Sequence, residues 1–316
     1  MQQMTPMGSV AVAALLVLAG AANPEDGGRT VGTPIKEGNT RGIDLAHSKI
    51  VVSGDGTRGG KSDGYVLKRP CWYEPGLDAN EMLKSQESLR AYWFRFTENP
   101  TEEKWQAFLK QFEDKIGKDG RWWGPAYNAA DPKGQACFAS LDPFVFVPPG
   151  TTPPSGITIQ ELAEIARAAL TVPEPTVKLN PDAKSYVNLP TWVWLEGIGE
   201  PRRSVTATIP GVMSATVVAT LESITIDPGT TKDRAEVNME GCGTSGKPYT
   251  KGGTFSCGVR YLRSSIDQPR EKYTLTVSTV WPVEVVDNVV PVQFAPVEVG
   301  ASRDVPVGEI QSNVKP

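Results

Sequence analysis

The spacing of apolar and polar positions changes character several times along the chain. Residues 10–22, VAVAALLVLAGAA, form one apolar run. It falls short of the roughly 20 residues a helix needs to cross a bilayer and has the length of a signal-peptide core. Ala19-Gly20-Ala21 then supplies an A-x-A cleavage site, so residues 1–21 are expected to be a signal peptide, although no Lys or Arg precedes the run. Residues 22–48 are polar, charged and Gly-rich, which predicts a disordered arm. A short β run, KIVVSG, follows at 49–54.

Between 71 and 140 the apolar spacing is three to four. Met82, Gln86, Leu89, Trp93 and Phe96 mark one helix, and Trp105, Phe108, Leu109, Phe112 and Ile116 mark a second. Asn99-Pro100-Thr101 separates them, with Thr101 as the N-cap, so the pair predicts a helical hairpin. Residues 49–146 are therefore expected to form a Trp-rich, mainly helical region. The segment 147–156, VPPGTTPPSG, reads as a Pro-rich linker. Directly after it, Thr158 and Glu161 form a capping box, flanked by Ile157 and Leu162 as a hydrophobic staple. The helix that follows carries apolar residues at 162, 165, 166 and 169, one face that must dock on something.

From about residue 186 the period drops to two. YVNLPTWVWL, RSVTATIPG, SATVVATLESITI, GTFSCGVRYL, YTLTVSTVWPVEV and VVPVQFAPVEV read as strands separated by turns. Residues 157–300 thus predict a capped helix plus a β-sandwich, and 301–316 a tail or edge strand. The expected fold class is α+β in two parts. A helical, disulfide-stapled N-terminal region precedes an antiparallel immunoglobulin-like sandwich.

Four cysteines change this picture, because an even number in an exported chain implies disulfides. Three pairings are possible, and locality favours Cys71–Cys137 with Cys242–Cys257. Closing the second, shorter interval is worth about 3 kcal/mol in the chain-entropy view. The single histidine, His47, excludes two-His zinc sites and leaves a Ser-His-Asp triad only one candidate base. A net charge of −4 gives no basic field for nucleic acid. No later apolar run is long enough to span a membrane.

The stretch TIQELAEIARAALTVPEPTVKLNP, then VNLPTWVWL, then the spacing Cys242 to Cys257 and YLRSSIDQPREKYTLTVSTVWPVEV resemble a family of secreted actinobacterial proteins of the Streptomyces type. RPCWYEPG extends the likeness more loosely to the N-terminal half. The resemblance implies export and a C-terminal PKD-type, immunoglobulin-like domain, and it brings no activity or cofactor. In place of the W-D-F-G-D-G-like motif of such domains, this chain reads ITIDPGTTKDRAEV.

Candidate chemistry is sparse. Gly60-Lys61-Ser62 has the end of a phosphate-binding loop, but the first glycine of that motif falls on Asp55, so no nucleotide is expected. Glu102, Glu103, Glu113, Asp114 and Glu161 each have a structural explanation at a helix end or polar face. GTSGKP lacks the second glycine of a nucleophile elbow. Trp122-Trp123 is the candidate ligand-stacking pair, against the alternative that both fill a small core. Trp192 and Trp194 share one strand face, with core as the better reading. No catalytic, metal or cofactor residue is assigned. The sequence therefore points to a secreted, non-enzymatic interaction or structural protein of the cell envelope, with an envelope protein or glycan as partner. The alternatives are a peptidoglycan-binding module using Trp122 and Trp123, and a carboxylate-based cell-wall hydrolase.

Overall fold

The computed structural model describes residues 43–310. The expected signal peptide lies outside them, as does residue 22 to 42 of the expected arm and 311 to 316 of the expected tail. In chain order the first elements are β1 (Leu45–Ala46), β2 (Val51–Ser53), β3 (Cys71–Asp78), α1 (Ala79–Ser88), α2 (Arg90–Phe96), α3 (Glu102–Glu113), β4 (Arg121–Asn128), α4 (Gly134–Ala139), β5 (Val145–Val147) and α5 (Ile159–Ala168). There follow β6 (Thr176–Asn180), β7 (Ser185–Tyr186), β8 (Pro190–Glu196), β9 (Arg202–Ile209), β10 (Met213–Thr220) and β11 (Ser223–Asp227). The last are β12 (Ala235–Asn238), β13 (Gly258–Tyr261), β14 (Tyr273–Trp281), β15 (Val283–Val285), β16 (Val297–Val305) and β17 (Val307–Gly308).

The two-part α+β reading does not hold. Strand makes up 35% and helix 20%, and the N-terminal region is organised by a sheet. β4 pairs with β3 on one side and with β1 and β5 on the other. Helices α1 to α3 are an excursion between β3 and β4. The two strands escape a period-two reading because both of their faces are covered, as in any doubly buried strand. Cys71, Trp72, Tyr73, Glu74 and Pro75 are buried in succession. The predicted first helix is also broken in two at Leu89. The second runs from the Thr101 cap, whose hydroxyl accepts from Lys104 N at 3.3 Å.

An immunoglobulin-like sandwich over 157–300 is corrected as well, because those strands divide between two cores. Sheet β15-β10-β9-β2 takes a strand from the N-terminal region and packs on α5. The first core runs from Ile43 to Val299 and joins this sheet, α5 and Trp72, Tyr73, Trp123 and Val147 of the N-terminal sheet. The segment 147–156 is pinned between them: Tyr73 N donates to Ser155 O and Ile157 N donates to Tyr73 O. The second core lies between sheets β12-β13-β8-β6 and β11-β14-β16. Tyr261 and Tyr273 stack within it at 4.8 Å. Pro282 breaks the predicted YTLTVSTVWPVEV strand: β14 gives Tyr273, Leu275 and Val277 to the second core and Trp281 to the first, where Val283 and Val285 of β15 join it.

Helix α5 is buried on every side from Leu162 to Ala168. Arg167 on its polar face is met from a distant loop at its terminal nitrogens, while its Nε has no hydrogen-bond partner among the described residues. Arg167, 1% exposed, donates to both Asp63 carboxylate oxygens at 3.1 and 2.5 Å and lies 5.0 Å from the centre of the Tyr65 ring. Both expected disulfides are present, Cys71–Cys137 tying β3 to α4 and Cys242–Cys257 closing the loop before β13. No helix among the described residues is long and apolar enough to cross a membrane.

Candidate functional site

Successive side chains of a strand point to opposite faces of its sheet. Trp122 and Trp123 are neighbours on β4 and obey this rule. Trp122, 3% exposed, enters a small cluster with Met82 and Phe112, its ring 4.9 Å from that of Phe112 and 5.4 Å from that of Phe146. Trp123, 5% exposed, joins the first core. The pair therefore forms no common platform, and the stacking role expected for it has no geometric basis. Trp192 is likewise covered, by Tyr249 and Phe255 of the disulfide-closed loop, and Trp194 is half-buried.

The other singled-out residues are dispersed. Lys61 exchanges backbone hydrogen bonds with Val172, and Asp55 accepts from both Ser204 N and Ser204 Oγ. The Gly-rich loop is thus fastened to the start of β9, and no helix follows it. Gly56 must lack a side chain there, since a Cβ would come within 2.8 Å of Leu170 Cδ1 and Val205 Cγ2. His47 stacks on Phe138 at 4.9 Å. Glu161 caps α5, accepting from Thr158 N at 2.8 Å, and pairs with Arg69 at 2.7 Å. Glu102 pairs with Arg90 on the surface. Glu103, Glu113 and Asp114 are exposed.

One buried carboxylate escaped the sequence reading. Glu74 is 3% exposed and accepts from Ser48 Oγ at 2.6 Å, Lys49 N at 2.6 Å and Trp72 Nε1 at 2.8 Å. Burial pushes its carboxyl above the usual range, against the pull of these donors. A polar residue inside the aromatic run CWYEPG was the available signal. The arrangement fastens residues 48–50 to β3; all three donors are spent on the carboxylate, which leaves it no open side for a substrate.

A cleft of about 600 Å³ opens where the N-terminal sheet meets the tip of the β9–β10 hairpin. Pro75, Trp123 and Val147 line it, residues 148–152 form one wall, and Val212 and Met213 of the hairpin tip also line it. Asp119 and Arg121 also line it, and both are exposed. Gly120 between them holds a φ of 144°, and any Cβ there would strike Val147 O and the Phe146 ring. That glycine is what lets β5 close against the start of β4 while both charges remain at the cleft. Among the described residues no group of three His, Cys, Asp or Glu side chains could hold a metal ion.

Comparison with known proteins finds no matching family model, no matching curated protein and no matching solved structure.

Proposed function

We propose that this chain is an exported, non-catalytic protein of the cell envelope that works by holding or binding another envelope component. The observation that carries this reading is the complete pairing of the four cysteines in two separate disulfides. Such pairing persists in oxidising compartments and is rare in a reducing cytosol. Each bond fastens a different part of the fold: one closes the N-terminal sheet onto α4, the other anchors the loop over Trp192. The apolar run at 10–22 and the likeness to secreted actinobacterial proteins point the same way.

The test is fractionation of source cells that carry a tagged copy, with thiol alkylation at the moment of lysis. The expected result is recovery from the envelope or medium with no alkylated cysteine. Recovery from the cytoplasm with four reactive thiols would contradict the proposal. So would turnover of a cell-wall substrate by the purified protein that one carboxylate substitution abolishes.

A further inference from the structure

We propose that the cleft beside Trp123 receives an extended peptide segment of a partner protein, with one basic and one acidic side chain two residues apart. This rests on the reading of the chain as a binding protein and names the chemistry of its partner. The cleft volume of about 600 Å³ suits a bound segment rather than a single ion.

Three features point to a peptide. Asp119 and Arg121 stand two residues apart at the cleft, and neither has an ion-pair partner among the described residues. In an extended peptide, side chains two residues apart also share a face, so a basic and an acidic group can meet both at once. Secondly, the wall at 148–152 presents main-chain groups: Pro149 O, Gly150 N and Thr152 N have no backbone partner among the described residues. Pro148, Pro149 and Pro153 keep these residues out of any strand, so the main-chain groups left for a peptide are the separate ones at 149, 150 and 152 and not a continuous sheet edge. Thirdly, Pro75, Val147 and Met213 offer apolar contact for a residue between the two charges. A sugar would need a broad ring face, and Trp123 is only 5% exposed.

The experiment is calorimetric titration of the oxidised full chain with four capped pentapeptides, GKVEG, GKVKG, GEVEG and GQVQG, and with chitotriose. GKVEG is expected to bind at least about fivefold more tightly than the other three peptides, the scale of two exposed charge pairs. Arg121→Asp, a change at an exposed side chain, is expected to reverse the order and favour GKVKG over GKVEG. Equal binding of all four peptides, or an order that Arg121→Asp leaves unchanged, would overturn the proposal. Chitotriose binding that competes with GKVEG would overturn it too, in favour of a glycan site. Fractionation judges the envelope reading separately: an exported chain that binds no peptide loses only this inference, and a cytoplasmic chain that binds GKVEG loses only the envelope.

Discussion

Helices α3 and α5 read alike along the chain, each a Thr-capped segment with one apolar stripe, yet they occupy opposite circumstances. On α3 only Trp105, Leu109 and Phe112 are buried, and its clusters gather a few large aromatics. On α5 every residue from Leu162 to Ala168 is buried, Glu164 and Arg167 included. The stripe states that a helix docks. Whether its other side is also covered depends on distant segments, here the loop that brings Asp63 and Tyr65 onto Arg167. A peripheral helix and a central one differ in what arrives from elsewhere in the chain.

The largest expected effect lies at Arg167 on α5. Replacing it by alanine removes its charge-assisted hydrogen bonds to the water-accessible Asp63 carboxylate and empties the buried space of its stem, together about 3–4 kcal/mol. Urea unfolding of Arg167→Ala is expected to lose that much across the whole molecule. A loss below about 1 kcal/mol would mean that the coverage of α5 is incidental.

The matching change on α3 is Phe112→Ala, at a side chain with 0% exposure. Its cost is about 3 kcal/mol, at the low end for a buried Phe because a small cluster can collapse around the gap. Hydrogen exchange is expected to rise in α1, α3 and β4 while β14 stays protected. Equal loss of protection in β14 would make the aromatic lobe and the second core one cooperative unit.

Glu74 sharpens the point on a strand, since its donors also come from a distant segment. Glu74→Gln swaps an acceptor oxygen for an amide that cannot accept, at about 1–3 kcal/mol. The folded carboxyl lies above its unfolded value of about 4.3, so protonation favours the fold. The native increment is fully present below the unfolded value and is lost as pH rises through the folded one. The deficit of the Gln variant is therefore expected to shrink as pH rises from below about 4. A deficit that grows with pH would show that the three donors outweigh burial. The smallest effect belongs to Arg90→Ala on the rim of the helical lobe. Its exposed pair with Glu102 is expected to leave the urea midpoint unchanged.

Much of the local structure could be read directly. The Thr158–Glu161 box and the Thr101 cap sit where their spacing puts them. The strand segments after residue 186 alternate as half-buried strands do. What escaped the reading is what depends on both sides of an element or on distant chain. β3 and β4 lack alternation because each face is covered, so their aromatics pass for part of a helical region. β2 joins β9 across some 150 residues of chain, and nothing local in Val51–Ser53 marks that partner. The cleft draws on positions near 75, 120, 150 and 212. No window of sequence contains them together, and Asp119 and Arg121 read locally like any other surface charges.

Two disulfides, one in each half, close this fold, and we propose that an oxidising compartment maintains them. Protease digestion of protein isolated from source cells, alkylated at lysis and mapped without reduction, tests this most directly. The expected result is linked peptides containing Cys71 with Cys137 and Cys242 with Cys257, and no alkylated cysteine. Alkylation at all four positions, or a link between the Cys71–Cys137 pair and the Cys242–Cys257 pair, would contradict it.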